Sequence, residues 1–403
     1  MHIQTQRALA CFRSCHLQLV NHLEVSMTTV AWEFYSGIGG LHLALQRSTV
    51  DGNVVRAFDW DQTACKVYSA NHGPNVVQKI DISSLTSSDL ASSPAPADLW
   101  LLSPSCQPYT VLNPDAKGAL DPRARSFLHL VQTVLPELVK LGTGVHPTRL
   151  LIENVAGFET STTRQILLTT LRSLGYNTME FLLTPLQFGI PNSRLRYYLL
   201  AKMAPLHFPT STMSPADGEI WRHIPGRDDA DWVDPRDSSP PSPISSAGSQ
   251  PSVVTPLRQF LDQDDAAIHE IPERVLSKWG RLFDIVLPSN TRTCCFTRGY
   301  TQLVERAGSV LQTNEHLDTT LVFDEFLEAQ ANNNSSAMDI LRPLGLRYFS
   351  PTELLRLFYF LRPRSQDEFV WPEGLSAKSK YRLIGNSVNV LVVTKLIDFL
   401  YVE

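Results

Sequence analysis

A cysteine stands between two prolines, directly after an apolar run, where a thiol could act as a nucleophile. The run Leu99–Leu102 has the length and composition of a short buried strand, and Pro104 and Pro108 prevent its continuation. Cys106 therefore lies on a stiff loop at the carboxyl end of a predicted strand, where open α/β sheets bind ligands. Because a thiol is readily ionised and reactive near neutral pH, Cys106 is a candidate nucleophile, although a single cysteine is more often a small buried hydrophobic residue.

Three charged side chains further along the chain occupy positions that suggest chemistry. Glu153 follows the apolar run 149–152, and a charged residue at the end of a buried strand is rarely there for packing. Arg194 and Arg196 are two residues apart at the entry to an apolar strand, so their side chains share a face. Two guanidiniums on one face suit a polyanion or a buried carboxylate, with ordinary surface arginines as the alternative.

Three predicted strands end in residues suited to an adenosine-bearing cofactor. The first leads into a glycine turn and a helix, which allow close backbone approach and favour an anionic group. By itself this turn fits a nicotinamide or flavin site equally well. Asp59 ends the second strand and could accept hydrogen bonds from ribose hydroxyls, with Trp60 as a flat face for adenine. Asp81 ends the third strand and suits an adenine amino group.

The composition is that of an ordinary soluble globular enzyme. Of 403 residues, 43% are hydrophobic and 19% charged, and no apolar run approaches the roughly 20 residues of a membrane span. The net charge of −5 gives no overall attraction to nucleic acid, so such contact would need a local basic face. Candidates for this face, with scattered solvated charge as the alternative, are Arg342, Arg347, Arg356, Arg362, Arg364, Lys378, Lys380 and Arg382.

The six cysteines have no regular spacing and do not indicate a disulfide framework. We therefore expect a reducing compartment, which would be the cytoplasm, the nucleus or both. The pairs Cys11/Cys15 and Cys294/Cys295 lack the further ligands that a zinc site needs, so we predict no metal site.

In their order along the chain, these motifs resemble those of the cytosine-C5 methyltransferases. The matching stretches are Phe-Tyr-Ser-Gly-Ile-Gly-Gly at 34–40, Glu-Asn-Val at 153–155, and the runs 189–197, 308–313 and 385–387. The run Cys-Phe-Thr-Arg-Gly-Tyr at 295–300 resembles a signature of the eukaryotic tRNA(Asp) methyltransferases, a family first filed as a second type of DNA methyltransferase. The resemblance covers most of the chain and favours tRNA over DNA as substrate.

The resemblance implies a Rossmann-like α/β fold with a mostly parallel sheet, S-adenosylmethionine as cofactor, and cytosine-38 of tRNA(Asp) as the methylated base. Cys106 would add to C6 of the cytosine, and Glu153 would hold its N3 edge and exocyclic amine. Arg194 and Arg196 would position the base or these two side chains. Implied cofactor-binding residues are Phe34, Gly37, Ile38, Gly39, Gly40, Asp59, Trp60, Asp81, Ile82, Ser103, Asn386 and Ser387. Implied substrate-binding residues are Gln107, Asn154, Cys295, Phe296, Thr297 and Tyr300.

Composition and resemblance together divide the chain into five segments. Residues 1–29 form an N-terminal extension with three possible interpretations: an unneeded translation start upstream of Met27, a flexible tail, or a weak mitochondrial presequence. The first two are favoured because only Arg7 and Arg13 supply the positive charge that a presequence needs. Residues 30–204 form the catalytic and cofactor-binding domain. Residues 205–254 are rich in Pro and Ser and are predicted to be a disordered insertion. Residues 255–340 form a smaller target-recognition domain, and 341–403 return to the catalytic domain.

One departure from the family pattern leaves alternatives open. The family usually has two prolines before the cysteine, whereas Ser105 replaces the second one here, freeing a backbone angle and restoring an N–H donor. We expect an active enzyme, monomeric and without a membrane partner, that binds tRNA and weakly DNA. A DNA cytosine methyltransferase and a catalytically weak tRNA-binding protein that has kept the fold are the alternatives.

Overall fold

The computed structural model describes residues 28–109, 118–142, 144–209, 220–227, 253–262 and 269–403. Of the sequence predictions, the N-terminal extension up to residue 27, part of the loop after Cys106 and most of the Pro/Ser-rich segment lie outside these residues.

A seven-stranded sheet forms the framework of the catalytic domain. Its strands are β1 (Thr29–Phe34), β2 (Gly52–Asp59), β3 (Val77–Lys79), β4 (Leu99–Leu102), β5 (Arg149–Val155), β6 (Tyr176–Leu183) and β7 (Arg196–Met203). The strand order is β3-β2-β1-β4-β5-β7-β6, and only β7 pairs antiparallel with its neighbours. The carboxyl ends of β1, β2, β4 and β5 therefore meet at one edge, which confirms the predicted α/β fold with a mostly parallel sheet.

Helices cover both faces of this sheet. The first six are α1 (Gly40–Arg47), α2 (Gln62–His72), α3 (Ser87–Ala91), α4 (Arg125–His129), α5 (Leu135–Leu141) and α6 (Thr162–Ser173). A π-helical segment, Leu130–Val134, joins α4 to α5, so residues 125–141 form three contiguous helical pieces. Side chains of α3 to α6 pack into one hydrophobic cluster, and those of α1 and α2 pack into a second one on the other face.

The chain's second half adds a small sheet and six helices. These elements are α7 (Glu273–Trp279), β8 (Ile285–Val286), β9 (Val310–Gln312), α8 (Thr319–Ala331), α9 (Ala337–Leu341), β10 (Leu346–Arg347), α10 (Pro351–Leu357), α11 (Ala377–Gly385) and α12 (Val390–Leu400). The small sheet has the order β10-β9-β8. Its strand β10 lies in the segment 341–403.

The C-terminal segment packs against helix α1. Thr394 on α12 donates a hydrogen bond from Oγ1 to the carbonyl of Ala44 on α1 at 3.3 Å. The stretch Ala377–Leu400 is long and apolar enough for a membrane span, yet 72% of its most apolar window is buried inside the protein, as expected of core helices.

Part of the Pro/Ser-rich segment is ordered, contrary to the prediction for 205–254. Trp221 forms a bridge with Phe181 of β6: the Trp221 amide donates to the carbonyl of Glu180 at 2.9 Å, and the Leu182 amide donates to the carbonyl of Trp221 at 2.8 Å. The backbone groups at the free edge of β6 need hydrogen-bond partners, and the segment around Trp221 supplies them.

Candidate functional site

The loop that carries Cys106 is fastened to the neighbouring strand. Asn154 on β5 is buried and donates a hydrogen bond from Nδ2 to the carbonyl of Pro104 at 3.3 Å. The Tyr109 amide donates to the carbonyl of Cys106 at 3.0 Å, which closes a turn directly after the cysteine. Asn154, predicted to bind substrate, thus holds the loop that carries Cys106. Burial raises the pKa of the Cys106 thiol, and the nearby Arg196 guanidinium opposes this shift.

Glu153 lies beside this loop at the carboxyl end of β5. It is 6% exposed, and one carboxyl oxygen accepts a hydrogen bond from Ser103 Oγ at 3.2 Å. The other oxygen lies 3.5 Å from Nε of Arg196. Burial raises the pKa of Glu153 despite the nearby Arg196 and Arg194 charges, so this carboxyl holds a proton more readily than an exposed one.

The two arginines converge on the sulfur of Cys295. Arg194 Nη1 donates to Cys295 Sγ at 3.5 Å, and Arg196 Nη2 donates to the same atom at 3.6 Å. The prediction that the arginines share a face is therefore confirmed. Arg194 also donates to the carbonyls of Phe296 at 2.9 Å, Gly385 at 3.2 Å and Ser387. Arg194 therefore connects the Cys295 loop to the end of α11. Among the described ion pairs of the two arginines, only that of Arg196 involves Glu153.

A cavity of about 670 Å³ opens in front of Cys106, within the range of small-ligand sites. Its lining includes Gln107, Arg196, Cys295, Thr297 and Asn386. Three predicted substrate-binding residues, Gln107, Cys295 and Thr297, are therefore placed together in its wall.

Two other predicted substrate-binding residues do not reach this cavity. Phe296 is 0% exposed and Tyr300 is 2% exposed. Their rings meet edge to face at 5.0 Å, and Phe296 packs in the same way on Phe349. These aromatic rings form a core under the Cys295 loop, which corrects the prediction that Phe296 and Tyr300 contact the substrate.

Gly385 allows the Cys295 loop to touch the end of α11. A Cβ at position 385 would lie 2.3 Å from the carbonyl carbon of Thr297 and 2.4 Å from the amide nitrogen of Arg298. Both atoms belong to backbone and cannot swing aside, so only glycine permits this approach.

We therefore expect Gly385→Ala to lower the free energy of unfolding by about 1–3 kcal/mol, the usual consequence of overpacking. Chemical unfolding followed by circular dichroism measures the change. Lys378→Ala is a matched control because Lys378 is exposed on the same helix. Equal stability of the Gly385→Ala protein and the unaltered protein would contradict the close contact.

A second, smaller cavity lies at the glycine turn after β1. Its lining includes Tyr35, Ser36, Gly37, Gly40, Ser103, Asn386 and Ser387. Ser36 Oγ is buried there without a hydrogen-bond partner among the described residues, as a ligand-binding hydroxyl would be. Gly39 has a φ of 85° and precedes α1, so the helix N-terminus faces the turn. Asn386 lines both cavities.

Three predicted cofactor-binding side chains point away from this cavity. Phe34 is 0% exposed and stacks on Phe58, whereas its neighbour Tyr35 lines the cavity with a φ of 59°. Ile38 and Ile82 are likewise buried in the hydrophobic clusters. The sequence analysis missed Tyr35. Because β1 is buried on both faces, its hydrophobic pattern could not tell which aromatic side chain faces a ligand.

The predicted adenosine-binding residues lie at neighbouring strand ends. Asp59 ends β2, and its carboxyl accepts hydrogen bonds from the amides of Gly37 and Asp61, both at 2.8 Å. It therefore fixes the glycine turn. Trp60 is 77% exposed, as an adenine platform requires. The carboxyl of Asp81, just after β3, accepts a hydrogen bond from the Ser83 amide at 2.9 Å.

A buried acid underlies the smaller cavity. Glu33 on β1 is 0% exposed and lines the cavity. Its carboxyl accepts hydrogen bonds from the Tyr68 hydroxyl at 2.9 Å and the Leu41 amide at 3.2 Å, and His42 Nδ1 lies 2.7 Å from the Tyr68 hydroxyl. Burial raises the pKa of Glu33 from 4.5 to about 8.

This shift predicts a pH-dependent stability. As the pH rises from 4.5 to about 8, the unfolded chain releases the Glu33 proton while the folded chain retains it, so this group's contribution to the free energy of unfolding falls. We expect Glu33→Gln, which stays neutral, to flatten that fall by a few kcal/mol, on the order of 1.4 kcal/mol per pKa unit. Urea unfolding across this pH range tests the effect, and parallel pH dependences of the two proteins would contradict it.

The basic face predicted in the C-terminal part is largely neutralised. Its ion pairs are Arg342–Glu273 (2.9 Å), Arg347–Glu353 (2.7 Å), Arg356–Asp262 (2.7 Å), Arg362–Asp367 (2.8 Å) and Arg382–Asp61 (2.6 Å). Exposed arginines lie instead in the lining of the larger cavity, at Arg298 and Arg306. The sequence analysis did not single them out because only the folded chain brings them next to Cys106.

Comparison with known proteins gives a consistent result. The family described as C-5 cytosine-specific DNA methylase matches residues 30–401. A Schizosaccharomyces pombe protein named tRNA (cytosine(38)-C(5))-methyltransferase is 37% identical over 370 residues, covering 91% of this chain and 95% of that protein. The Homo sapiens protein of the same name is 34% identical, covering 92% and 98%. The crystal structure of a Spodoptera frugiperda DNMT2 mutant has a TM-score of 0.72 and 31% identity, covering 93% of this chain and all of that one (100%).

Proposed function

The chain belongs to the cytosine-C5 methyltransferase family, and from this membership we propose that it methylates C5 of a cytosine in tRNA. We further propose cytosine-38 in the anticodon loop of tRNA(Asp) as the target. The observation that carries the proposal is that Cys106 and Arg196 line one cavity together with Cys295 and Thr297 of the Cys-Phe-Thr signature, and that Glu153 lies 3.5 Å from Arg196.

In this proposal the methionine end of S-adenosylmethionine lies at the smaller cavity. Ser36, with its unpaired hydroxyl, and the turn before α1 offer donors to a carboxylate, and Tyr35 and Ser387 complete the wall. Trp60 and Asp81 would meet its adenine and Asp59 its ribose. When bound, this cofactor supplies a methyl group that is activated by the positive charge on its sulfur.

We propose that Cys106 acts as the nucleophile because C5 of cytosine is too poor a nucleophile to accept a methyl group directly. The Cys106 sulfur forms a bond to C6, and the electron pair of the C5–C6 bond makes C5 reactive. Glu153 provides a proton at N3 and holds the exocyclic amine, so that charge does not build up on the ring. C5 then gains the methyl group and loses its proton to a base. The sulfur–C6 bond breaks and N3 returns its proton to Glu153, which restores the aromatic ring.

The remaining side chains serve orientation in this proposal. Arg196, beside Glu153, keeps that carboxyl facing the base, and Ser103 fixes its other oxygen. Asn154 holds the Cys106 loop through the carbonyl of Pro104. A nucleophile and an acid held in this way need little rearrangement when the base arrives.

An RNA loop suits this site better than a duplex. A cytosine must leave its stack to reach Cys106, and leaving an anticodon loop costs less than leaving paired DNA. The exposed Arg298 and Arg306 at the cavity could contact phosphates next to the extruded base. The proposal also includes weak binding of DNA through the same contacts, a monomeric state, and a cytoplasmic or nuclear location. The four described cysteines are free, as a reducing compartment requires.

The test is methyl transfer to defined nucleic acids. Purified protein is incubated with labelled S-adenosylmethionine and, separately, with unmodified tRNA(Asp), the same tRNA with cytosine-38 replaced by uridine, and duplex DNA. We expect label only on the first. Label on DNA would instead support a DNA methyltransferase, the activity in the matching family's description. Absence of label on all three, with cofactor binding intact, would support a tRNA-binding protein that has kept the fold, and Ser105→Pro would then be the next variant to assay.

A further inference from the structure

The arrangement of charges around Cys295 is not explained by the mechanism above. Arg194 is 3% exposed, Arg196 has a side chain that is 14% exposed, and both guanidiniums donate to Cys295 Sγ. Two buried cations so close together repel each other unless an anion lies between them. The atom between them is the sulfur of Cys295.

We infer that Cys295 is a positioning residue whose Sγ, as a thiolate, is the anion that holds Arg194 and Arg196 in place. This inference rests on the proposed cytosine methylation, because its consequence is that Glu153 does not have to neutralise the two arginines. A carboxyl that gives a proton to N3 cannot at the same time be the permanent counter-charge of a guanidinium. The 3.5 Å separation of Glu153 from Arg196 Nε is correspondingly long for an ion pair with a good hydrogen bond.

Several charged and titratable side chains surround Cys295. Arg194 and Arg196 face it from the segment entering β7, and Glu153 on β5 lies behind Arg196. Cys294 precedes it in the loop, and Cys106 and Arg298 line the same cavity. The two contacting charges are therefore positive. Although burial opposes ionisation, Arg196 and Arg194 together lower the pKa of Cys295.

The adjacent cysteine gives a matched contrast. Cys294 Sγ lies 3.5 Å from Ser309 Oγ, and Ser309 Oγ also donates to a carboxyl oxygen of Asp284 at 2.5 Å. Burial raises the pKa of Cys294 to about 12. The pKa values of two neighbouring thiols in one loop are thus shifted in opposite directions, because only Cys295 faces the arginines.

Stability measured against pH tests the charge without relying on activity. A thiol whose pKa is lower in the folded protein than in the unfolded chain stabilises the folded protein more as the pH rises towards the unfolded-state pKa of about 8.5. This stabilisation disappears as the pH falls through the folded-state pKa. Below about pH 8.5, the stability difference between the unaltered protein and Cys295→Ser should therefore widen with rising pH. For Cys294→Ser the difference should stay level over this range and narrow only above about pH 8.5. Equal slopes for the two variants would overturn the inference.

Activity then tests the consequence of the charge. We expect Cys295→Ser to lower kcat for tRNA methylation by about 10²-fold, the scale of a small misplacement of catalytic groups, with KM nearly unchanged. Cys295→Asp restores an anion of similar reach and should recover most of the lost rate, whereas Cys294→Ser should match the unaltered protein. Full activity of Cys295→Ser, or failure of Cys295→Asp to exceed it, would overturn the inference. If the unaltered protein methylates no substrate, the proposed function fails, while the stability comparison still decides the charge of Cys295.

Discussion

Replacing Cys106 with alanine is expected to abolish methyl transfer, with a loss of at least about 10³-fold in kcat, because the proposed bond to C6 forms through its sulfur. The remaining protein should still bind S-adenosylmethionine and tRNA, since Cys106 lines only the larger cavity among the cavities described. Methylation under single-turnover conditions measures the loss, and equilibrium binding of both ligands is the control for folding.

Covalent bonding by Cys106 can be observed directly. A tRNA with 5-fluorocytosine at the target position cannot release fluorine as a proton would be released, so the reaction should stop with the RNA attached to the protein. We expect a denaturation-resistant complex with the unaltered protein and none with Cys106→Ala. A complex that forms equally with Cys106→Ala would mean that another residue is the nucleophile.

Glu153→Gln should give the second large effect, a loss of about 10²–10⁴-fold in kcat, the usual contribution of general acid catalysis. Glutamine keeps the shape and can still contact the exocyclic amine, but it cannot give a proton to N3. The pH profile separates this role from a structural one. Because burial raises the pKa of Glu153, its protonated form persists to higher pH, and the rate should fall as the pH rises through that pKa.

The Glu153→Gln protein should lack this fall in rate with rising pH. Arg164→Gln is a suitable comparison, because Arg164 pairs with Glu180 on β6 at 2.8 Å, away from the cavity lining. A Glu153→Gln protein with the unaltered pH profile would show that Glu153 does not act through its proton.

The residues at strand ends were the most predictable part of the site. Cys106 and Glu153 each follow an apolar run, and in a parallel sheet such runs end at one edge, so their proximity follows from local patterns. The positions of Phe296 and Tyr300 could not be obtained in this way. Both belong to a motif that suggests ligand contact, but their environment depends on Phe349 and on other residues far along the chain.

The partners of the two arginines show the same limit. Their shared face is predicted from the two-residue spacing. Cys295, whose sulfur they both contact, is about a hundred positions away in the sequence and reaches them only through the packing of the small sheet and α11. Likewise, the predicted basic face failed because ion pairing depends on which acids the fold brings near each arginine. Sequence patterns predict which residues lie at the edge of the sheet, whereas long-range packing determines which residues face them.

The position of Asn386 in the walls of both cavities implies thermodynamic linkage between the two ligands. One residue that borders both sites cannot respond to the first ligand without changing the environment of the second. Whatever factor bound S-adenosylmethionine introduces into the affinity for tRNA, tRNA must introduce the same factor into the affinity for S-adenosylmethionine. The order in which the enzyme binds its two ligands therefore depends on binding rates. The coupling free energy between the two ligands is a single quantity, whichever of them binds first.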